Sequence, residues 1–174
     1  MRKSITKILL QSAISSIAGT SAMTFSSWLM SLSGEDFREP EHLGTMAHRL
    51  LPLTSKNEYT AIGWAGHYCM GIAFASSYGI LWERYQLRPS LKNGLLLGIA
   101  SGVLGSAIWK ATFKIHPLPP RLNYNLFYLQ RLPAHVVFAL ATTIVYKAIT
   151  AKRAKKHNEM RIEETIEKGQ KAKA

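Results

Sequence analysis

Acidic residues are scarce in this chain: ten Asp and Glu stand against 22 Lys and Arg. None falls within four long stretches, 8–34, 59–82, 93–109 and 132–146, which carry no charge of either sign. The apolar part of the chain therefore holds no carboxylate pair for general acid–base work. Cysteine is nearly absent as well. Cys69 stands alone, which excludes an internal disulfide and a cysteine metal cluster. It reads as a small buried hydrophobe. No phosphate-cradling glycine loop occurs. The sequence gives an enzyme no support.

What is present is long apolar helix. A helix needs about 20 apolar residues to cross a bilayer core, with a range of roughly 17–25. Stretches 8–34 and 59–82 suffice alone. The other two suffice if Lys110 and Lys147 snorkel to the interface. The expected fold is an all-α membrane protein with four transmembrane helices, at about 8–32, 60–82, 93–112 and 133–150, within a domain 1–150. Residues 151–174 form a basic cytoplasmic tail, rich in Lys, Glu and Ala and too polar to bury a core.

The net charge of +12 would suit nucleic acid, but its placement does not. Fifteen Lys and Arg lie before the first span, between the second and third, and after the fourth; seven lie in the two other loops. This puts both termini in the cytoplasm of a bacterial cytoplasmic (inner) membrane. The tail then faces anionic lipid headgroups. A leader with Thr20-Ser21-Ala22 as its cleavage site is the alternative for the N-terminus; the apolar run continues past it to Gly34, which suits a retained span.

Each outer loop predicts a short surface helix. In the first, Pro40 follows Glu39 and precedes Glu41 at a helix start, and Leu43, Met46, Ala47, Leu50 and Leu51 make one apolar face. His42 and His48 lie on opposite faces, which does not suit a metal. In the second, Leu122, Asn125, Leu126 and Leu129 suggest another surface helix after the stiff run 116–121, with Pro133 opening the fourth span.

Small residues recur every fourth position. Ser12, Ser16 and Thr20 mark the first span; Gly71 and Gly79 the second; Gly94, Gly98 and Gly102 the third. Such rows let helices approach closely in lipid. They suit internal packing, self-association or a membrane-protein partner.

The second and fourth spans share a pattern. His67 is followed eleven positions later by Tyr78, and His135 by Tyr146, with an alanine six after each histidine. Eleven residues return to within about 20° of one helix face, and separate the pair by roughly 16 Å. Two hairpins inserted the same way round make a tandem parallel repeat, with His67 and His135 at one depth near the outer side. The span with His67 and Tyr78, the glycine-rich span, the proline-rich loop and the second histidine span together resemble the YagU-like family of bacterial inner-membrane proteins. The resemblance covers 66–146. It implies four spans, carries no settled activity, and singles out His67 and His135.

Three readings of these histidines stand. They pin helices by hydrogen bonds, contributing about 0.6–2 kcal/mol each, in a protein of structural or accessory role without a cofactor. They ligate haem or a metal. Or they handle protons or ions.

Overall fold

The computed structural model describes residues 3–32, 34, 36–51 and 55–171. It is helical: α1 is Ile5–Ser31, α2 Glu39–Leu50, α3 Lys56–Arg84, α4 Leu91–Ile115 and α5 Tyr124–Lys171. The helix starts follow from local chemistry. Ser4, Ser55 and Ser90 each accept from the amide three residues on, satisfying a donor the helix cannot. Ser55 and Glu58 complete a reciprocal capping box. α2 starts on Glu39-Pro40-Glu41, with proline in its first turn and two carboxylates at the positive end of the dipole.

Among the described residues three helices are long and apolar enough to cross a membrane: Ile5–Ser31, Leu91–Ile115 and the Tyr124–Glu164 part of α5. α3 is longer than the first two, but glycine, serine, tyrosine and His67 dilute its hydropathy.

Several expectations are corrected. The second surface helix is not separate, because α5 runs unbroken from Tyr124 through Pro133. Proline lacks only its own amide, and buried anchors on both sides, Arg131 and His135, hold the helix through it. Residues 151–171 continue α5, and their described side chains are exposed, so the polar tail is a helix without a core. Cys69 is exposed on the outer face of α3 rather than buried.

α1 is the central helix, packed against both α3 and α5; α4 packs on the far side of α5. The close approaches follow one rule, a hydroxyl set into a glycine notch. A Cβ on Gly71 would lie 2.1 Å from Thr20 Oγ1, and one on Gly79 2.2 Å from Ser12 Oγ. A Cβ on Gly19 would lie 2.1 Å from Thr142 Oγ1, and one on Gly94 2.7 Å from Thr143 Oγ1. Ser12, Thr20 and Thr142 make no conventional hydrogen bond through these oxygens. Weak Cα–H···O contacts suit such oxygens. Gly98 and Gly102 face the α5 backbone at Val136 and Leu132. The expected glycine rows thus lie inside the bundle, where Gly71, Gly79, Gly94, Gly98 and Gly102 join helices of one chain.

α3 and α4 are neighbours in sequence yet touch sparsely. Tyr78 Oη bridges them by donating to Ser101 Oγ at 2.6 Å. That pair lies in the wall of a groove of about 270 Å³ between the two helices, lined also by Met70, Phe74, Ser77, Leu97 and Leu104. At the end of the bundle that holds the start of α1, Lys3 Nζ meets Glu83 Oε1 at 2.6 Å, and Tyr146 Oη donates to the same oxygen at 3.0 Å. This ties the start of the chain to α3 and α5.

Candidate functional site

The site is built outward from Arg131, which α5 presents fully buried. Its Nε donates to the Phe127 carbonyl at 3.2 Å and its Nη2 to the Phe37 carbonyl at 2.8 Å. Its Nη1 pairs with Glu39, itself 2 % exposed, and the guanidinium lies 4.3 Å from the centre of the Phe127 ring. Phe37 is held in turn by its amide, which donates to Ser31 Oγ at the end of α1 at 2.9 Å. One side chain therefore locks the start of α2, the loop before it and α5 together. Burial alone would push the Glu39 carboxyl up; the guanidinium against it wins and holds it below the usual carboxylate range.

α2 is thereby seated as a cap on the end of the bundle away from the chain's start. A Cβ on Gly63 of α3 would lie 2.1 Å from the Pro40 carbonyl, so the two backbones nearly touch. His42 sits edge-on to Trp109 and Phe127, its Nε2–H donating to the Asp36 carbonyl at 2.7 Å. Burial pushes its imidazole down. At the other end of α2, Arg49 Nη1 donates to the Leu118 carbonyl at 2.9 Å.

Beneath this cap lies a cavity of about 180 Å³. His67, His135 and Glu39 line it among mostly apolar neighbours, including Phe74, Trp109 and Phe138. The two histidines on α3 and α5, expected at one depth, face the same space. Both are buried, at 5 % and 4 % exposure.

Their hydrogen bonds assign their tautomers. The Arg131 carbonyl can only accept, so His135 Nδ1, 2.9 Å away, carries the proton. Thr24 gives its hydroxyl hydrogen to the Thr20 carbonyl at 2.8 Å, so His67 Nε2, 2.9 Å from Thr24 Oγ1, donates to it. With each ring neutral, its other nitrogen is an acceptor. Neither His135 Nε2 nor His67 Nδ1 has a hydrogen-bond partner among the described residues. Gly105 makes room for the first: a Cβ there would stand 2.6 Å from His135 Nε2.

Tyr78 and Tyr146 are not in this cavity. They lie deeper, either side of Trp82, with ring centres 5.9 and 4.7 Å from it. The imidazole and phenol ends of the repeated pattern thus serve different places. Among the described residues no group of three His, Cys, Asp or Glu is arranged to hold a metal ion.

Sequence reasoning missed Glu39 and Arg131. Both look like ordinary loop charges, Glu39 at a helix start and Arg131 in a basic loop. Glu39 lies outside the charge-free stretches, yet the fold buries it. The available signal was Arg131 itself, two residues before Pro133 and four before His135 on one helix face, a costly place for a cation without a partner.

No family model, curated protein or solved structure matches the chain.

Proposed function

We propose that the chain is a four-span protein of the bacterial cytoplasmic membrane, with both termini in the cytoplasm, that serves as an accessory module by holding a small ligand between His67 and His135. α3 supplies the fourth crossing. Its charge-free stretch 59–82 and its close packing along α1 support this, as does the bias of basic residues toward the termini and the loop near Arg84. The resemblance of 66–146 to the YagU-like family points the same way. The hairpins α1–α3 and α4–α5 are read as a parallel tandem repeat, supported by the repeated histidine–tyrosine spacing.

The observation that carries the ligand reading is the pair of unspent ring nitrogens on one cavity. Imidazoles that only pin helices would spend both nitrogens on neighbours, as buried polar groups do. Haem suits the cavity poorly: an apolar cavity of about 150 Å³ takes one benzene ring, and a macrocycle is several times that size. A proton or ion path has less support, because Phe74, Phe138 and Tyr78 pack beneath the histidines without a charged group among them.

Two measurements test this. With Cys69→Ser as background, Leu118→Cys should react with a membrane-impermeant thiol reagent from outside, and Gln86→Cys only after permeabilisation. Ser55→Cys, at the other end of α3 from Gln86, should react from outside like Leu118→Cys. Equal reactivity of Ser55→Cys and Gln86→Cys would mean that α3 does not cross, and reversal at all three sites would mean that the termini lie outside. For binding, the detergent-purified protein should show saturable one-to-one binding of at least one small aromatic probe, read by Trp109 emission. A folded protein that binds no neutral, cationic or anionic probe would remove the ligand reading.

A further inference from the structure

The cavity also specifies what kind of molecule it takes; this rests on the ligand reading above. We infer that the occupant is a neutral, lipid-soluble aromatic alcohol, a phenol or hydroquinone, with one ring in the cavity and any apolar tail in the α3–α4 groove.

Three observations converge on it. The first is donor–acceptor arithmetic. His67 Nδ1 and His135 Nε2 both offer lone pairs and no proton, so the complementary ligand is a hydrogen-bond donor. An anion or a pure acceptor, such as a carboxylate or a quinone, meets two repelling lone pairs.

The second is charge. Glu39 would attract a cation, but Arg131 already balances it inside the same cluster. A second cation would sit beside a buried guanidinium with no carboxylate left to neutralise it. The donor is therefore neutral, which leaves O–H or N–H groups. A hydroxyl on an aromatic ring is a stronger donor than one on an alkyl chain, and an imidazole lone pair is a strong acceptor.

The third is shape and access. About 180 Å³ with Phe74, Trp109 and Phe138 in the wall suits one flat ring. Met70 and Phe74 line both the cavity and the groove between α3 and α4, so the two spaces adjoin. The cap of α2, pinned by Arg131 and Gly63, covers the outer end. Entry through the groove favours a molecule that partitions into lipid, and an apolar tail fits its lining.

The test uses the whole protein in detergent micelles and ¹⁹F NMR titration. The probes are 4-fluorophenol, fluorobenzene, 4-fluorobenzylammonium and 4-fluorobenzoate, with competition by hydroquinone and by an alkyl hydroquinone. The phenol should bind at least tenfold more tightly than fluorobenzene, and the two ionic probes more weakly than the phenol. Hydroquinone, with two donors for two acceptors, should displace it at lower concentration than phenol does. A further gain from the alkyl tail assigns the groove to a lipid-like ligand; no gain assigns the cavity to the free ring, and both outcomes support the class. His135→Phe should weaken the phenol at least fivefold and leave fluorobenzene within twofold. Should that variant fail to fold, Ile108→Trp, in the α4 wall of the cavity, should abolish binding of both by filling it.

Tighter binding of the benzylammonium or benzoate probe would overturn the inference while leaving the ligand reading intact. So would equal affinity for phenol and fluorobenzene. Absence of binding by all four would remove the ligand reading itself.

Discussion

Replacing Arg131 with methionine destabilises the protein by about 3–5 kcal/mol, the cost of leaving one partner of a buried ion pair alone. The guanidinium is fully buried and makes every contact that holds Glu39, Phe37 and the Phe127 turn together. Without it, the buried Glu39 carboxylate loses the cation paired with it. The thermal midpoint in detergent should fall sharply, and α2 should become accessible to protease before the bundle unfolds. The double variant Glu39→Leu/Arg131→Met separates the pair from the packing. Apolar replacement of both partners of a buried pair is often neutral or stabilising, so it should recover most of the loss. If the single variant costs under 1 kcal/mol, α2 is not seated on α5 as described.

The same pair sets the acid limit. The folded Glu39 carboxyl titrates below its ordinary value, so its contribution is complete above about pH 4.3, the usual glutamate range, and is lost as pH falls through the folded value. His42 acts earlier and with the same sign. Its imidazole is held down by burial, so the unfolded chain takes up a proton first, below about pH 6.5. Of the other groups of the cap, Asp36 is pushed up by its partial burial, but Arg38 outweighs this and holds it below its ordinary value, so it adds to the lower fall, while Arg131 stays charged. Acid titration of the thermal midpoint should therefore show two falls. His42→Gln should shrink the upper one, to which the buried His67 and His135 also contribute, and leave the lower one in place. A midpoint flat from pH 7 to pH 3 would contradict both assignments.

What could be read from the sequence and what could not divides along physical lines. Charge-free length and fourfold small-residue spacing are local properties, and they placed α1, α3, α4 and the glycine notches on the right helices. The eleven-residue histidine–tyrosine spacing is also local, and it set His67 and His135 on comparable faces of α3 and α5. That they share one cavity depended on α1 packing between those helices, which no local pattern encodes. The pairing of Glu39 with Arg131 is a contact between residues 92 positions apart, formed only once α2 folds over the bundle. A sequence shows such charges singly, and singly they look solvated. The missing surface helix has a different cause. Pro133 reads as a boundary because proline disfavours helix in the residue before it, but Arg131 and His135 anchor the turns on both sides, and the tertiary contacts outweigh that preference.

Gly63 gives the second large effect, and its neighbour supplies the control. Alanine at Gly63 puts a methyl group 2.1 Å from the Pro40 carbonyl and 2.8 Å from the Gly44 nitrogen. Both are backbone atoms of α2, so no side chain can rotate away. The helix must lift from α3, and such overpacking costs about 1–3 kcal/mol or more. Lifting α2 also pulls Glu39 from Arg131, so the loss should exceed that of an ordinary core methyl. Three residues on, alanine at Gly66 meets only Leu43 Cδ1 at 3.7 Å, an ordinary contact. There the gain in helix propensity, up to about 1 kcal/mol, should dominate and leave the protein as stable or more so. Two identical substitutions on one helix thus have opposite signs, because only Gly63 meets the backbone of the cap, whereas Gly66 meets one of its side chains at an ordinary distance. Thermal midpoints of Gly63→Ala and Gly66→Ala, measured side by side in one detergent, decide the matter: equal effects would place α2 away from α3. Since the cap also closes the histidine cavity, Gly63→Ala should loosen ligand retention as well, speeding dissociation of a bound phenol even at temperatures where the bundle stays folded.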